Sequence, residues 1–417
     1  MTDQPTARRH LLDFDPAALG EFFAALGEKP FRAKQVLEWV YRHGAASFDE
    51  MTNLSKTLRE TLRAHLDVFS SHVVRRLVSG DGTIKLLLQW PDGATSECVM
   101  IPDGERRTAC ISSQVGCPAR CCFCASGMNG LQRNLKPGEI VEQVLRVSAE
   151  VQEREPGAAP AGDTGILPVE QGETTVPLAI HGCEPAEPAR RQVAGETPGS
   201  RRGPGGEKES SPGASRLSNI VFMGMGEPLA NYDAVIRAVR TINAPWGPNI
   251  GARKITISTV GLPKQIRRLA DESLQLNLAL SLHAPTDGLR QELIPWAEKI
   301  SLAELTTACR YYFEKTGREI TLEYVLLHEV NDRRTHAEQL ARFARQLRCN
   351  INLIRYNPVA GLPYQRPTSE STAMFQQVLR EHGVNAHVRT SRGLDIDAAC
   401  GQLRRRAAQE AGSSSTV

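Results

Sequence analysis

The sequence predicts an α/β fold, a partial parallel barrel of six βα units preceded by a small N-terminal helical domain and a β-hairpin extension. Three observations predict it. From Thr108 onward, short runs rich in Val, Ile and Leu alternate with helix-like stretches, as buried parallel strands and their crossovers do. Ahead of them, apolar residues recur at helical spacing in three short stretches. Between the two lie strand-like runs around a Pro91-Asp92-Gly93 turn.

In chain order, Pro16 follows a capping Asp15, and Leu19, Phe22, Phe23 and Leu26 recur until Gly27 ends the pattern. Val36, Trp39, Val40 and His43 repeat it before Gly44, and Leu54, Leu58 and Leu62 recur around a capping Ser55. Lys29, Arg32, Lys34, Arg42, Lys56, Arg59 and Arg63 decorate these helices, as an RNA-facing surface or as solvated faces, and taken alone the second reading is slightly favoured. Runs at 73–78 and 83–90 and one ending Val99-Met100-Ile101 make the hairpin. Barrel strands are expected near 110–113 and at 219–223, 254–258, 276–282, 320–327, 351–356 and 386–388. The chain thus divides into a helical domain (1–70), a hairpin linker (71–105), a barrel core (106–403) and a flexible tail (404–417). Residues just past the C-terminal end of each strand are expected to line the active site.

Composition sets the bounds. Among 417 residues, 50 Lys and Arg against 47 Asp and Glu leave a formal charge of +3, too small to announce nucleic acid by itself. There is no apolar run of about 18 residues, and Asp13 and Asp15 interrupt the start before any signal-peptide core, so neither membrane nor secretion is expected and a cytoplasmic location is. From Pro156 to Ser215, 60 residues hold 11 Gly and 9 Pro and no aromatic residue, which predicts a disordered insertion in the barrel. Cys183 within it is given no role.

Ten cysteines without a secretion signal argue for reduced thiols that bind metal or do chemistry. Their densest group is Cys117-Pro-Ala-Arg-Cys121-Cys122-Phe-Cys124, directly after the first barrel strand. Three thiolates at CxxxCxxC spacing can hold three irons of a 4Fe-4S cluster and leave the fourth open to chelate an amine and a carboxylate. A zinc knuckle is the competing reading, but it wants four protein ligands, and no second CxxC or HxxxH pair exists. Cys122 fits neither spacing. With Phe123 before the last cysteine, the loop resembles the radical S-adenosylmethionine (SAM) signature. After the 219–223 run, Gly224-Met225-Gly226-Glu227-Pro228 offers glycine backbone and a carboxylate to an ammonium group. Ser258, Ser281-Leu282-His283 and Asn357 stand at comparable strand ends, where each reads equally as a satisfied polar terminus.

From about Leu11 to Leu403, apart from the insertion, the chain resembles the RlmN/Cfr family of radical SAM RNA methyltransferases. The resemblance rests on Leu26-Gly27-Glu-Lys-Pro-Phe-Arg32-Ala33, Ile111-Ser-Ser-Gln-Val-Gly-Cys117, Gly224-Met-Gly-Glu-Pro-Leu229 and, most specifically, Ser391-Arg-Gly-Leu-Asp-Ile-Asp-Ala-Ala-Cys400-Gly-Gln-Leu403. It implies a (β/α)6 radical SAM barrel, a 4Fe-4S cluster on Cys117, Cys121 and Cys124, and SAM contacts from Gly226, Glu227, Ser258, Ser281, Leu282, His283 and Asn357. For the RlmN branch it implies methylation at C2 of adenosine 2503 in 23S rRNA and adenosine 37 in tRNAs, a flavodoxin-type electron donor and a monomeric enzyme.

Roles follow from the same resemblance. One SAM methylates Cys400, and a second is cleaved to a 5′-deoxyadenosyl radical that takes hydrogen from that methyl group. The carbon radical adds to adenine, whose C2 is electrophilic and cannot attack the methyl of SAM directly. Glu97 then accepts the ring proton, and Cys110 resolves the enzyme–RNA adduct by forming a disulfide with Cys400. By their own surroundings Cys110 reads as a buried core thiol and Glu97 as a solvated hairpin residue, while Cys98, Cys309 and Cys349 read as structural thiols. Three other readings stand beside this one: C8 methylation of the same rRNA adenosine, a radical SAM enzyme acting on a small molecule, and a non-catalytic RNA-binding protein with a structural metal. The insertion leaves open only how substrate approaches near the barrel rim.

Overall fold

The structure, a computed structural model, describes residues 8–152 and 216–404. The expected insertion and almost all of the expected tail lie outside these residues.

Helices α1 (Pro16–Ala25), α2 (Arg32–Arg42) and α3 (Lys56–His65) form where the apolar spacing placed them. Asp15 and Ser55 are their caps, accepting from the amides of Ala18 at 2.8 Å and Leu58 at 3.2 Å. Leu19, Phe23, Val36, Val40, Leu58 and Leu62 are buried together, whereas Phe22 is half-buried. Two short parallel strands, Arg9–His10 and Leu66–Asp67, tie the ends of this unit.

Ten strands make one sheet whose spatial order is simply the chain order. β1 (His72–Val78), β2 (Ile84–Gln89), β3 (Thr95–Asp103) and β4 (Arg106–Cys110) pair antiparallel. From β4 onward every pairing is parallel, through β5 (Asn219–Phe222), β6 (Ile255–Thr259), β7 (Asn277–Ser281), β8 (Ile320–Leu326), β9 (Cys349–Arg355) and β10 (Ala386–Arg389). The crossovers carry α4 (Pro137–Gln152), α5 (Tyr232–Asn243), α6 (Pro263–Asp271), α7 (Asp287–Leu293) with α8 (Leu302–Thr316), α9 (Arg334–Ala344) and α10 (Ser369–Glu381). This is the expected partial barrel of six βα units.

The hairpin differs from the expectation. It is a three-stranded meander continuous with the barrel sheet, because Thr95 to Met100 are buried on both faces and β3 pairs along β4. Cys98 and Met100 join the main core, while Val99 faces the other way, with Cys110 and Met225.

Buried polar bonds fix the helical unit to the barrel. Glu142 of α4 accepts from the amides and hydroxyls of Ser70 and Ser71 and meets His10 Nε2 at 3.2 Å and Arg146 at 3.3 Å. These donors hold its carboxyl down at about 2 against the cost of burial. The α4 crossover ends at Gln152, and the chain re-enters where Ser218 bonds Arg107, at the start of β4. Both flanks of the expected insertion therefore lie at the N-terminal ends of the strands, opposite the rim at which substrate approach was left open.

Candidate active site

All the predicted site residues on the barrel collect at the C-terminal ends of its strands. The cysteine loop is the tip of a second hairpin, whose legs Gln114–Gly116 and Leu131–Asn134 pair antiparallel. It folds back on itself tightly enough that a Cβ on Gly127 would stand 2.9 Å from Arg120 Cα. Backbone bonds fix the tip: Cys117 N to Gly130 O (3.1 Å), Cys124 N to Cys121 O (3.1 Å) and Cys122 N to Leu293 O of α7 (3.0 Å). Burial is the first cause that raises the thiols of Cys117 (to about 12), Cys121 and Cys124, and a charge on Cys124 raises the other two further. Such thiols need a cation before they ionise at neutral pH.

The Gly224–Pro228 turn is pressed against residues 111–114. Gly226 has φ +108, and a Cβ there would lie 2.7 Å from both Gln114 Cβ and Ser113 Oγ. Glu227 is buried, its two carboxylate oxygens accepting from Leu229 N (3.0 Å) and Val260 N (2.7 Å). Burial still lifts its carboxyl to about 7. Ser258 and Ser281 bring their hydroxyls to 3.2 Å across β6 and β7. Leu282 is buried, and His283, at φ +57, accepts from Val325 N through Nδ1 and stacks edge-on against Phe123 at 5.0 Å. Burial and then Arg290 depress its ring to about 3, so it stays neutral. Asn357 is buried at the end of β9 and donates to Cys400 O (3.2 Å) while accepting from Ser391 Oγ (2.7 Å).

Register brings Glu97 and Cys110 together. Lys85 pairs with Val99, Leu87 with Glu97, and Val99 with Cys110, so Lys85, Glu97, Val99 and Cys110 share one face. Across it runs residues 391–404, a segment without strands. Ser79 Oγ and Gly80 N bond Asp395 (2.6 and 3.1 Å), Lys85 Nζ bonds Asp397 O (3.0 Å), Ala125 N bonds Gly401 O (2.8 Å) and Arg404 N bonds Glu97 Oε2 (2.7 Å). Ala398 and Leu403 pack on Cys110. Glu97 is therefore not the solvated residue its hairpin position suggested: it is buried, paired with Lys85 Nζ at 3.1 Å, because the segment covers it. Cys110 is buried, which together with a charge on Cys400 raises its thiol. Cys400 is exposed yet ringed by protein, so desolvation and then Glu323 push its thiol up to about 11. A cavity of about 220 Å³ opens here between Arg75, Lys85, Glu97 and Asp397. A larger cleft, about 340 Å³, lies between α8 and α9 among Arg310, Arg345 and Arg348 and holds none of these thiols.

Sequence reasoning missed several positioning residues. Ser112 Oγ donates to Glu97 O (2.6 Å) and accepts from Met225 N (2.8 Å); Gln114 accepts from Glu227 N (2.8 Å); Asn331 donates to His283 O (2.8 Å). Lys85 and Arg290 were also missed, since a lone basic residue reads as solvated. Arg290 is 1% exposed, and its Nε and Nη1 have no partner. Cys98 and Cys309 are buried in the core, and Cys122 donates to Glu292 O (3.2 Å). Among the described residues no three His, Cys, Asp or Glu side chains are gathered as for a single metal ion. Three thiols on one loop beside a buried cation with unused donors nevertheless fit an anionic iron–sulfur cluster.

Three comparisons bear on this site. A family model, the ribosomal RNA large subunit methyltransferase N-terminal domain, matches residues 9–68. The chain is 41% identical to a probable dual-specificity RNA methyltransferase RlmN of Rhodopirellula baltica, over 95% of this chain and 91% of that one. The same name is carried by a Geobacillus kaustophilus protein that is 38% identical over 98% of both chains. A crystal structure of a radical SAM methyltransferase from Sphaerobacter thermophilus, 41% identical, superposes with a TM-score of 0.79 over 95% of this chain and 99% of that one.

Proposed function

The chain belongs to the RlmN family of radical SAM RNA methyltransferases, and from that premise we propose that it methylates C2 of adenosine 2503 in 23S rRNA and of adenosine 37 in tRNAs. The observation that carries the reading is the meeting of Glu97, Cys110 and the Cys400 segment on one sheet face beside the cysteine loop.

Cys117, Cys121 and Cys124 would hold the cluster, and the Gly226–Glu227 turn with Ser258, Ser281, Leu282, His283 and Asn357 would seat SAM. With cluster and SAM bound, the site would supply one-electron cleavage of SAM, giving a carbon-centred radical that abstracts hydrogen. The remaining work falls to side chains. Cys400 Sγ would take a methyl group by displacement, S-adenosylhomocysteine leaving, and present it as a thioether, whose carbon would give up one hydrogen atom to the radical and bond to adenine C2, the adduct then shedding one electron together with the C2 proton. Glu97, 3.1 Å from Lys85 Nζ, is poised to remove the C2 proton. Cys110 Sγ attacks Cys400 Sγ, forming a disulfide and releasing the carbon to be protonated as the new methyl group. A flavodoxin-type donor, a monomeric cytoplasmic enzyme and RNA binding by the helical unit belong to the same reading. Among the described residues no helix is long and apolar enough to cross a membrane.

Nucleoside mass spectrometry on cells lacking their own enzyme and expressing this chain tests the proposal. It expects 2-methyladenosine in both rRNA and tRNA. Finding 8-methyladenosine instead, or neither base, overturns it.

A further inference from the structure

Arg290 stands out among the buried charges. It lies on α7, 1% exposed, and one Nη donates to Val260 O, while Nε and the other Nη have no partner. A guanidinium carries five N–H groups, and burying it with donors unused is strongly unfavourable unless an anion answers it.

The surroundings show where that anion belongs. The end of α7 is bonded to the cysteine loop twice, Leu293 O accepting from Cys122 N (3.0 Å) and Glu292 O from Cys122 Sγ (3.2 Å). Leu289 and Leu293 pack in one apolar cluster with Cys117, Cys121, Cys124 and Phe123. Desolvation pulls the guanidinium down to about 10, opposed first by a charge on Cys121 and only then by Asp287. Asp287 accepts from Leu302 N at 2.7 Å, and the nearby His283 ring is neutral, its Nδ1 committed to Val325 N. Neither satisfies the two idle donors.

We propose that Arg290 is the buried counter-charge of the cluster, its Nε–H and Nη–H groups donating to cluster-borne sulfur on the Cys121 side. This rests on the reading that the three thiols hold a 4Fe-4S cluster. Three thiolates outweigh the positive iron–sulfide core, so the assembly is anionic and becomes more so when it accepts an electron. A fixed cation beside it favours the reduced state, and hydrogen bonds to sulfur act in the same direction.

Anaerobic reconstitution of the wild type, Arg290→Lys and Arg290→Gln, with iron analysis and an EPR-monitored redox titration without SAM, tests the inference. Arg290→Gln should disfavour reduction at least tenfold, about 59 mV more negative for one electron. Arg290→Lys, which keeps the charge but loses the fork, should shift less. A Gln variant that loses its cluster beside a Lys variant with a loaded, shifted one also supports the proposal. An Arg290→Gln variant that loads fully with its potential unchanged overturns it, even where SAM binding weakens, because Arg290 would then serve the SAM carboxylate. A wild type that takes up no iron and sulfide overturns the cluster reading itself.

Discussion

The cysteine loop and the segment that carries Cys400 are held in opposite ways. The cysteine loop closes a paired hairpin, is bonded through its own backbone and abuts α7. The Cys400 segment has no strand and is held by separate bonds to the β1–β2 turn, Lys85, Asn357, Ala125 and Glu97. A net contribution of about 1 kcal/mol per hydrogen bond makes each of these tethers reversible singly. Under the proposed mechanism a cofactor loop would have to hold geometry, whereas a thiol that met a methyl donor, an RNA base and Cys110 in turn would have to change its neighbours.

The largest effects should separate the two regions. Cys121→Ala and Cys400→Ala should both abolish methylation, read by nucleoside mass spectrometry, but only the first should lose bound iron and sulfide. Equal iron content in both would erase the division. Cys110→Ala should stall later, leaving RNA covalently bound to Cys400 as a retarded band on denaturing gels; normal turnover in that variant would remove Cys110 from the scheme.

Lys85→Met should cost up to about 3 kcal/mol, because it removes the 3.1 Å ion pair that Lys85 makes with the buried Glu97 carboxylate. It also cuts the tether to Asp397, so hydrogen exchange should quicken across 391–404 while the cysteine loop keeps its protection. Alkylation of Cys400 should climb about tenfold per pH unit toward its raised value of about 11. A rate already flat above pH 9 would mean that the segment lies open. Ser391→Ala, which loses one bond to Asn357, should loosen the segment by about 1 kcal/mol and leave methylation within a few-fold of wild type.

Legibility in the sequence divides along similar lines. The CxxxCxxC loop and the barrel strands were readable because their signals are local: close thiols and short apolar runs. Most strand ends erred by one or two residues, as where 276–282 became Asn277–Ser281, but the first barrel strand, expected near 110–113, is Arg106–Cys110, three to four residues earlier. Cys110 and Cys400 are remote in the chain, and only the family motif joined them. Glu97 read as solvated, and Lys85 went unremarked, because nothing local announces that a distant segment will bury them. Arg290, on an ordinary helical turn, gave no signal at all; its meaning comes from what surrounds it.

The α4 crossover leaves and returns beside Gln152 and Ser218, at the end of the barrel away from the thiols. If RNA enters at the thiol mouth, as the proposed function has it, the described flanks of this crossover stand at the other. A fluorophore or affinity tag attached at this crossover would report on the molecule, or immobilise it, with the RNA-facing mouth left free.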